Sequence, residues 1–113
     1  LRSDIQPLLE AFDLTSCFCV LSTAEDVAVS KPSPAPYLHA LHELEAHCGR
    51  PLDAGCCWAV EDTPAGVTAA AGAGLRVLAV TNTHDQQMLQ EANQIVDSLD
   101  EVSVSSLNAW LSA

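Results

Sequence analysis

No stretch of this sequence approaches the roughly 18 consecutive apolar residues of a membrane span, and no signal-peptide pattern opens it. Positive charge is scarce. Four Lys or Arg stand against fifteen Asp or Glu, for a formal net charge of −11. Such a chain repels nucleic-acid backbones and anionic membranes, so neither is expected as a partner. An anionic substrate would have to be met by locally placed cations, and Lys31 is the only lysine. Aromatics are 4% of the residues, so a core must be built from the Ala, Val and Leu of the 49% apolar fraction. No C-x-x-C pair occurs among Cys17, Cys19, Cys48, Cys56 and Cys57. An odd number of cysteines in or beside apolar runs reads as small hydrophobes in a reducing, cytoplasmic setting rather than as a disulfide framework or zinc site. There is no repeat, low-complexity tract or linker, and 113 residues make one domain at most. The first residue is Leu1 rather than Met, inside what reads as structured sequence, and truncation or processing is expected.

What is present alternates. Ile5, Leu8, Leu9 and Phe12 recur at helical spacing and predict a helix over 3–12, capped by Ser3 or Asp4. Cys17 to Leu21 is a short apolar run of strand type. Three prolines in Pro32-Ser33-Pro34-Ala35-Pro36 forbid regular structure and stiffen the approach to a helix over about 36–47, with Leu38, Leu41 and Leu44 on its apolar side. Gly49 and Pro51 stop it. Strand 57–61, helix 64–73 and strand 76–81 follow, then a short helix over 86–93 and a last strand beginning at Ile95 and Val96. Ser105 or Ser106 is expected to cap a final helix presenting Leu107, Trp110 and Leu111. Strands alternating with helices, and apolar without interruption, predict an α/β fold with a parallel sheet covered on both faces.

The chemistry gathers in Cys57-Trp58-Ala59-Val60-Glu61-Asp62-Thr63-Pro64-Ala65-Gly66. A buried strand here delivers two adjacent carboxylates to its C-terminal tip, where a helix begins. Ligands of open α/β sheets bind in that crevice. Glu61 and Asp62 repel each other unless a cation joins them, and a hard ion such as Mg²⁺ prefers oxygen ligands. The alternative reading is that one of the two carboxylates serves only to cap the helix starting at Pro64. Lys31, in its proline-stiffened loop, is either an ordinary solvated charge or an ammonium held at the mouth of this acid-rich crevice to bind phosphate. His39 and His42 stand i, i+3 on a helix and are explained by its exposed face as well as by a metal. His84 follows a strand on the crevice side, where substrate contacts arise. Trp58 and Trp110 read as core.

Taken together, Ser30-Lys31-Pro32-Ser33-Pro34-Ala35-Pro36-Tyr37 followed by Val60-Glu61-Asp62-Thr63-Pro64-Ala65-Gly66 resembles the haloacid dehalogenase-like hydrolases, nearest to their beta-phosphoglucomutase-like phosphatase branch. The resemblance spans nearly the whole chain, and two ordered motifs at the right separation make it specific at the superfamily level. It implies that Lys31 contacts the transferred phosphoryl group and the nucleophile, with Ser30 beside it at the phosphate. It implies that Glu61 and Asp62 hold Mg²⁺ directly or through water, and that Thr63 and Gly66 shape the loop beneath them. The implied reaction is hydrolysis of a small phosphorylated metabolite, a sugar phosphate above all, through an aspartyl-phosphate. A phosphosugar mutase of the beta-phosphoglucomutase type shares these motifs, and a degenerate, non-catalytic interaction fragment is the alternative of another class.

Two departures from the family pattern matter. Ala35 replaces the aspartate that often caps the helix after K-P-x-P. More seriously, no D-x-D occurs anywhere, so the family's nucleophile is missing, as is the motif-two Ser or Thr. The family strand order 3-2-1-4-5 would place two absent strands between 17–21 and 57–61, a gap of about 14 Å. Residues 1–113 are therefore expected to be the C-terminal part of a haloacid dehalogenase-like core domain: a partial Rossmann-like parallel sheet with flanking helices, without its first two strands and its cap. Alone it is expected to be inactive, and to be completed by the missing N-terminal half or by another chain.

Overall fold

A computed structural model describes residues 1–112. Three parallel strands, β1 (Trp58–Glu61), β2 (Arg76–Val80) and β3 (Gln94–Val96), form one sheet in the order β1-β2-β3. Four α-helices accompany it among the described residues: α1 (Arg2–Ala11), α2 (Ala35–Cys48), α3 (Pro64–Gly72) and α4 (Val104–Leu111), with α3 packed on the sheet and α2 on α3. The expected α/β class and parallel sheet are what the chain adopts.

Register follows from the pleat, which sends alternate residues to opposite faces. Ala59 and Glu61 lie opposite Val77 and Ala79. Ala59, Val77 and Ala79 form a buried cluster with Val67, Ala70 and Leu89. The small residues of α3, among them the fully covered Ala69 and Ala70, let that helix lie close on the sheet. Trp58 and Val60 therefore face the other way. Trp58 meets Trp110 of α4 edge to face, with ring centroids 6.1 Å apart, and donates its indole N–H to the Leu107 carbonyl. Val60, on the same face, is 50% exposed.

Several expectations are corrected. Segment 17–21 is not a strand: a 3₁₀ turn occupies Thr15–Cys17, and among the described residues the segment beyond it pairs with no strand. An extended segment needs a neighbour to satisfy its backbone, and among the described residues β1 has no partner on its outer edge. Helix α1 begins at Arg2 without a side-chain cap, so neither Ser3 nor Asp4 caps it. The 86–93 helix is a 3₁₀ turn over Gln86–Leu89, begun by the Asp85 side chain. Ser103, not Ser105 or Ser106, caps α4, in a reciprocal box with Ser106. On α2, Leu38 is exposed, and Tyr37 packs against the core instead, above Leu41 and Leu44. The cysteines are not core: Cys17, Cys19, Cys48 and Cys56 are exposed, and Cys57 is half-buried. They lie in turns and at element ends, outside the sheet that the apolar runs suggested.

Candidate active site

The tip of β1 points into the junction of three segments. Glu61 follows the inward face of the strand and is 8% exposed. A carboxylate that deep must be paired, and two partners meet it. The Lys31 ammonium lies 2.5 Å from Glu61 Oε1, and the Tyr37 hydroxyl donates to the same oxygen. Lys31 is brought there by the proline loop, whose Lys31–Pro32 peptide is cis. Ser33 helps to start α2 in the absence of an acidic cap, its hydroxyl accepting the Ala35 amide at 3.2 Å.

Gly66 explains how Glu61 fits. A Cβ at this position would overlap the Glu61 carboxylate, so the first turn of α3 can lie over the acid only without a side chain. Thr63 sets that turn: it is the N-cap of α3, and its hydroxyl accepts the Gly66 amide at 3.1 Å. Neither Glu61 nor Asp62 is the cap, and the helix-capping reading of the acid pair falls with this observation. Both acids remain for other work.

Asp62 leaves the strand on a different course. Its carboxylate is half-buried and accepts the Thr83 hydroxyl at 3.2 Å, and its carbonyl lies 3.2 Å from His84 Nδ1. A crevice of about 410 Å³ opens at the strand tips, lined by Glu61, Asp62, Asn82 and Asp97 among others. A second cavity, of about 700 Å³, runs past Ser22, Thr23, Ser30, Lys31 and Tyr37. Lys31, 43% exposed, thus stands at the border of the Glu61 pocket and open space. Ser30 is exposed beside it, its carbonyl accepting the Ser33 amide. The geometry gathers Lys31, Glu61, Thr63 and Gly66, while Asp62, next in the chain to Glu61, faces Thr83 and the crevice instead.

The histidines separate. His39 Nδ1 bonds the Ser22 hydroxyl at 2.7 Å, and its Nε2 faces Glu43 on the same helix; among the described residues no cluster of three or more His, Cys, Asp or Glu is placed to hold a metal. Sequence reasoning assigned no role to Tyr37 or Thr83. The signal for Tyr37 was its spacing to Leu41 and Leu44, which puts its ring inside and leaves its hydroxyl in need of a partner. Burial raises the Tyr37 pKa, with the Glu61 hydrogen bond and charge adding to it, so the phenol stays a donor near neutral pH.

Comparison with known proteins bears on this centre. The chain is 37% identical over 83 residues to validoxylamine A 7'-phosphate phosphatase of Streptomyces hygroscopicus subsp. limoneus, a match covering 74% of this chain and 36% of that protein. It is 36% identical over 86 residues to hexitol phosphatase A of Escherichia coli, covering 76% of this chain and 37% of the relative. The chain therefore spans little more than a third of either. Among solved structures, CbbY from Rhodobacter sphaeroides in complex with xylulose-(1,5)bisphosphate superposes with a TM-score of 0.81 at 28% identity, over 95% of this chain and 47% of that one. The beta-phosphoglucomutase of Clostridium difficile, at 20% identity and a TM-score of 0.77, covers 94% of this chain and 44% of its own, and shares the fold. A family model for the haloacid dehalogenase-like hydrolases matches residues 1–74, a span that takes in Lys31, the acid pair and Gly66, and the chain belongs to that family.

Proposed function

We propose that residues 1–113 are the C-terminal part of a phosphohydrolase core domain and carry the lysine-and-acid half of its centre. The observation that carries this reading is the buried Glu61 holding the only lysine at 2.5 Å, beside Asp62 at the mouth of a crevice. Lys31 presents a cation to the oxygens of a phosphate, and its ammonium has donors to spare beyond the one given to Glu61. Ser30 adds a hydroxyl at the same mouth. The substrate class is a small phosphorylated metabolite, most simply a sugar phosphate, in keeping with the similarity to a validoxylamine A 7'-phosphate phosphatase and a hexitol phosphatase.

The donor chemistry suits Mg²⁺, a hard ion that takes oxygen ligands and keeps several waters. Asp62 would hold it directly. Glu61 would serve it from behind, directly or through water, since its Oε1 already receives Lys31 and Tyr37. Two acids alone would not hold the ion, and water, substrate and carboxylates from outside these residues would supply the rest. The ion's contribution, when bound, is neutralisation of charge on the phosphoryl oxygens. The nucleophilic aspartate comes from outside the chain, which contains no D-x-D. That aspartate attacks phosphorus and expels the substrate's alkoxide, and water then cleaves the aspartyl-phosphate. The odd count of cysteines without a C-x-x-C pair favours a reducing, cytoplasmic setting.

Solved structures described as putative beta-phosphoglucomutases, at 27% and 26% identity, keep a mutase as the second reading. The test is an assay of the 113-residue chain, alone and joined to or mixed with a D-x-D-bearing N-terminal half, on an aryl phosphate with Mg²⁺. The chain alone is expected to be inactive. The completed protein is expected to turn over, and to lose activity by at least about a hundredfold in Lys31→Ala or Asp62→Asn. Transfer of phosphate to a second sugar hydroxyl in place of water would select the mutase. Activity in the completed protein that survives both substitutions would overturn the assignment. No activity in any form would leave the non-catalytic interaction fragment.

A further inference from the structure

We propose that Tyr37 is a positioning residue for Lys31: its hydroxyl fixes the Glu61 carboxylate and its ring fixes the ammonium, so that Lys31 stands ready for an incoming phosphate. The proposal rests on the reading of Lys31 as the phosphate-side cation.

Three contacts close a triangle. Tyr37 donates to Glu61 Oε1, Lys31 meets the same oxygen at 2.5 Å, and Lys31 Nζ lies 5.3 Å from the Tyr37 ring centroid. That last distance is within the range at which a ring face attracts a cation. Each contact does something the others cannot. A lysine side chain is long and rotamer-rich, and an ion pair alone holds its tip at one point while leaving it free to pivot. The ring supplies the second point. The hydroxyl in turn prevents Glu61 from following Lys31 outward, because Tyr37 is rooted on α2 against the buried cluster. Gly66 closes the space behind the carboxylate. The ammonium is held by two anchored groups, and the Lys31 side chain stays open to the neighbouring cavity.

A tyrosine that only filled the core would leave Lys31 unaffected when its hydroxyl is removed. The sequence permits a direct test, because Lys31 is the only lysine and Tyr37 the only tyrosine. Incorporating ¹³C-lysine into residues 1–113 only, joined to or mixed with an unlabelled D-x-D-bearing N-terminal half, gives one lysine side-chain spin system in the completed protein. Its Cε relaxation in the wild type, Tyr37→Phe (ring kept, hydroxyl lost) and Tyr37→Leu (both lost) reads how firmly the ammonium is held. Circular dichroism and backbone amide spectra check the fold. Side-chain order is expected to fall stepwise from wild type to Tyr37→Phe to Tyr37→Leu. Titration with inorganic phosphate is expected to give a Kd about tenfold weaker in Tyr37→Phe, with Lys31→Ala as the non-binding reference. Should Tyr37→Leu fail to fold, Tyr37→Phe decides the matter alone, because it preserves the packed shape. Unchanged Lys31 order in a folded Tyr37→Phe overturns the proposal. If order falls but the wild type takes up no phosphate, the positioning stands and the phosphate reading of Lys31 fails.

Discussion

Gly66 lies against the Glu61 carboxylate so closely that a methyl group in place of its α-hydrogen would overlap the acid. This contact fixes the height at which α3 rides over β1, and with it the depth of the site. It also decides the sign of a substitution. An alanine within a helix ordinarily gains about 0.5–1 kcal/mol over glycine. Here overpacking against a buried, doubly held acid costs about 1–3 kcal/mol, and the overlap wins. Gly66→Ala is expected to lower the urea midpoint. The penalty should largely vanish in a Glu61→Ala background, since removing the acid opens the space. Equal penalties in the two backgrounds would show that Gly66 is needed for some other reason.

Thr63 rather than either carboxylate begins α3, its hydroxyl accepting the Gly66 amide. Thr63→Ala is expected to cost about 1 kcal/mol in equilibrium unfolding and Thr63→Ser far less, because serine keeps the acceptor. Asp62→Ala should leave the helix start intact. A loss of stability in Asp62→Ala as large as in Thr63→Ala would return the cap to the aspartate.

Much of this was readable in the sequence, for local reasons. Strands β1 and β2 announce themselves as apolar runs, and Thr63-Pro64 announces a helix start with no tertiary information. The pairing of Lys31 with the acids follows from two motifs rather than from periodicity. What the sequence could not disclose depends on neighbours. Segment 17–21 has strand composition, yet a strand exists only beside a partner, and none stands next to it among the described residues. The cysteines look like core because they sit in apolar runs, but burial belongs to the sheet, and those runs begin before it. Tyr37 was passed over because its role needs Glu61, which lies 24 residues away in sequence. The adjacent letters Glu61 and Asp62 suggest one shared ligand set. Glu61, the last residue of β1, turns toward Lys31, and Asp62, in the bend that follows the strand, turns toward Thr83.

Tyr37 also links stability to alkaline pH. Its folded pKa is raised, chiefly by burial and further by the Glu61 hydrogen bond and charge. The folded protein therefore holds the phenolic proton more tightly than the unfolded chain. The resulting stability is complete below the unfolded value of 10.0 and is lost as pH rises through the folded one. Urea midpoints measured from about pH 9 upward are expected to fall more steeply in the wild type than in Tyr37→Phe. The difference isolates the phenol, because Tyr37→Phe removes that group alone. Absorbance of the only tyrosine checks it directly, with ionisation delayed beyond that of free tyrosine. Parallel pH profiles for the two proteins would mean that the hydroxyl is not buried against Glu61.

The cysteines make a prediction that separates the sequence reading from the structure. Were they core residues, a thiol reagent would reach them only on unfolding. Instead Cys17, Cys19, Cys48 and Cys56 are exposed, while Cys57 is half-covered. The Cys57 thiol pKa is raised, first by burial and then by the nearby Cys56, Asp53 and Glu45. Since the thiolate is the reacting form, Cys57 is slowed both by access and by protonation. Under native conditions at about pH 8, a disulfide reagent is expected to modify four thiols in a fast phase and one in a slow phase. Cys57→Ser should abolish the slow phase, whereas Cys56→Ser should remove one fast thiol and leave it in place. Both are countable by absorbance and by intact mass. A single phase for all five thiols would place Cys57 outside the shelter at the start of β1. Protection of all five until denaturant is added would instead bury the segments that carry them.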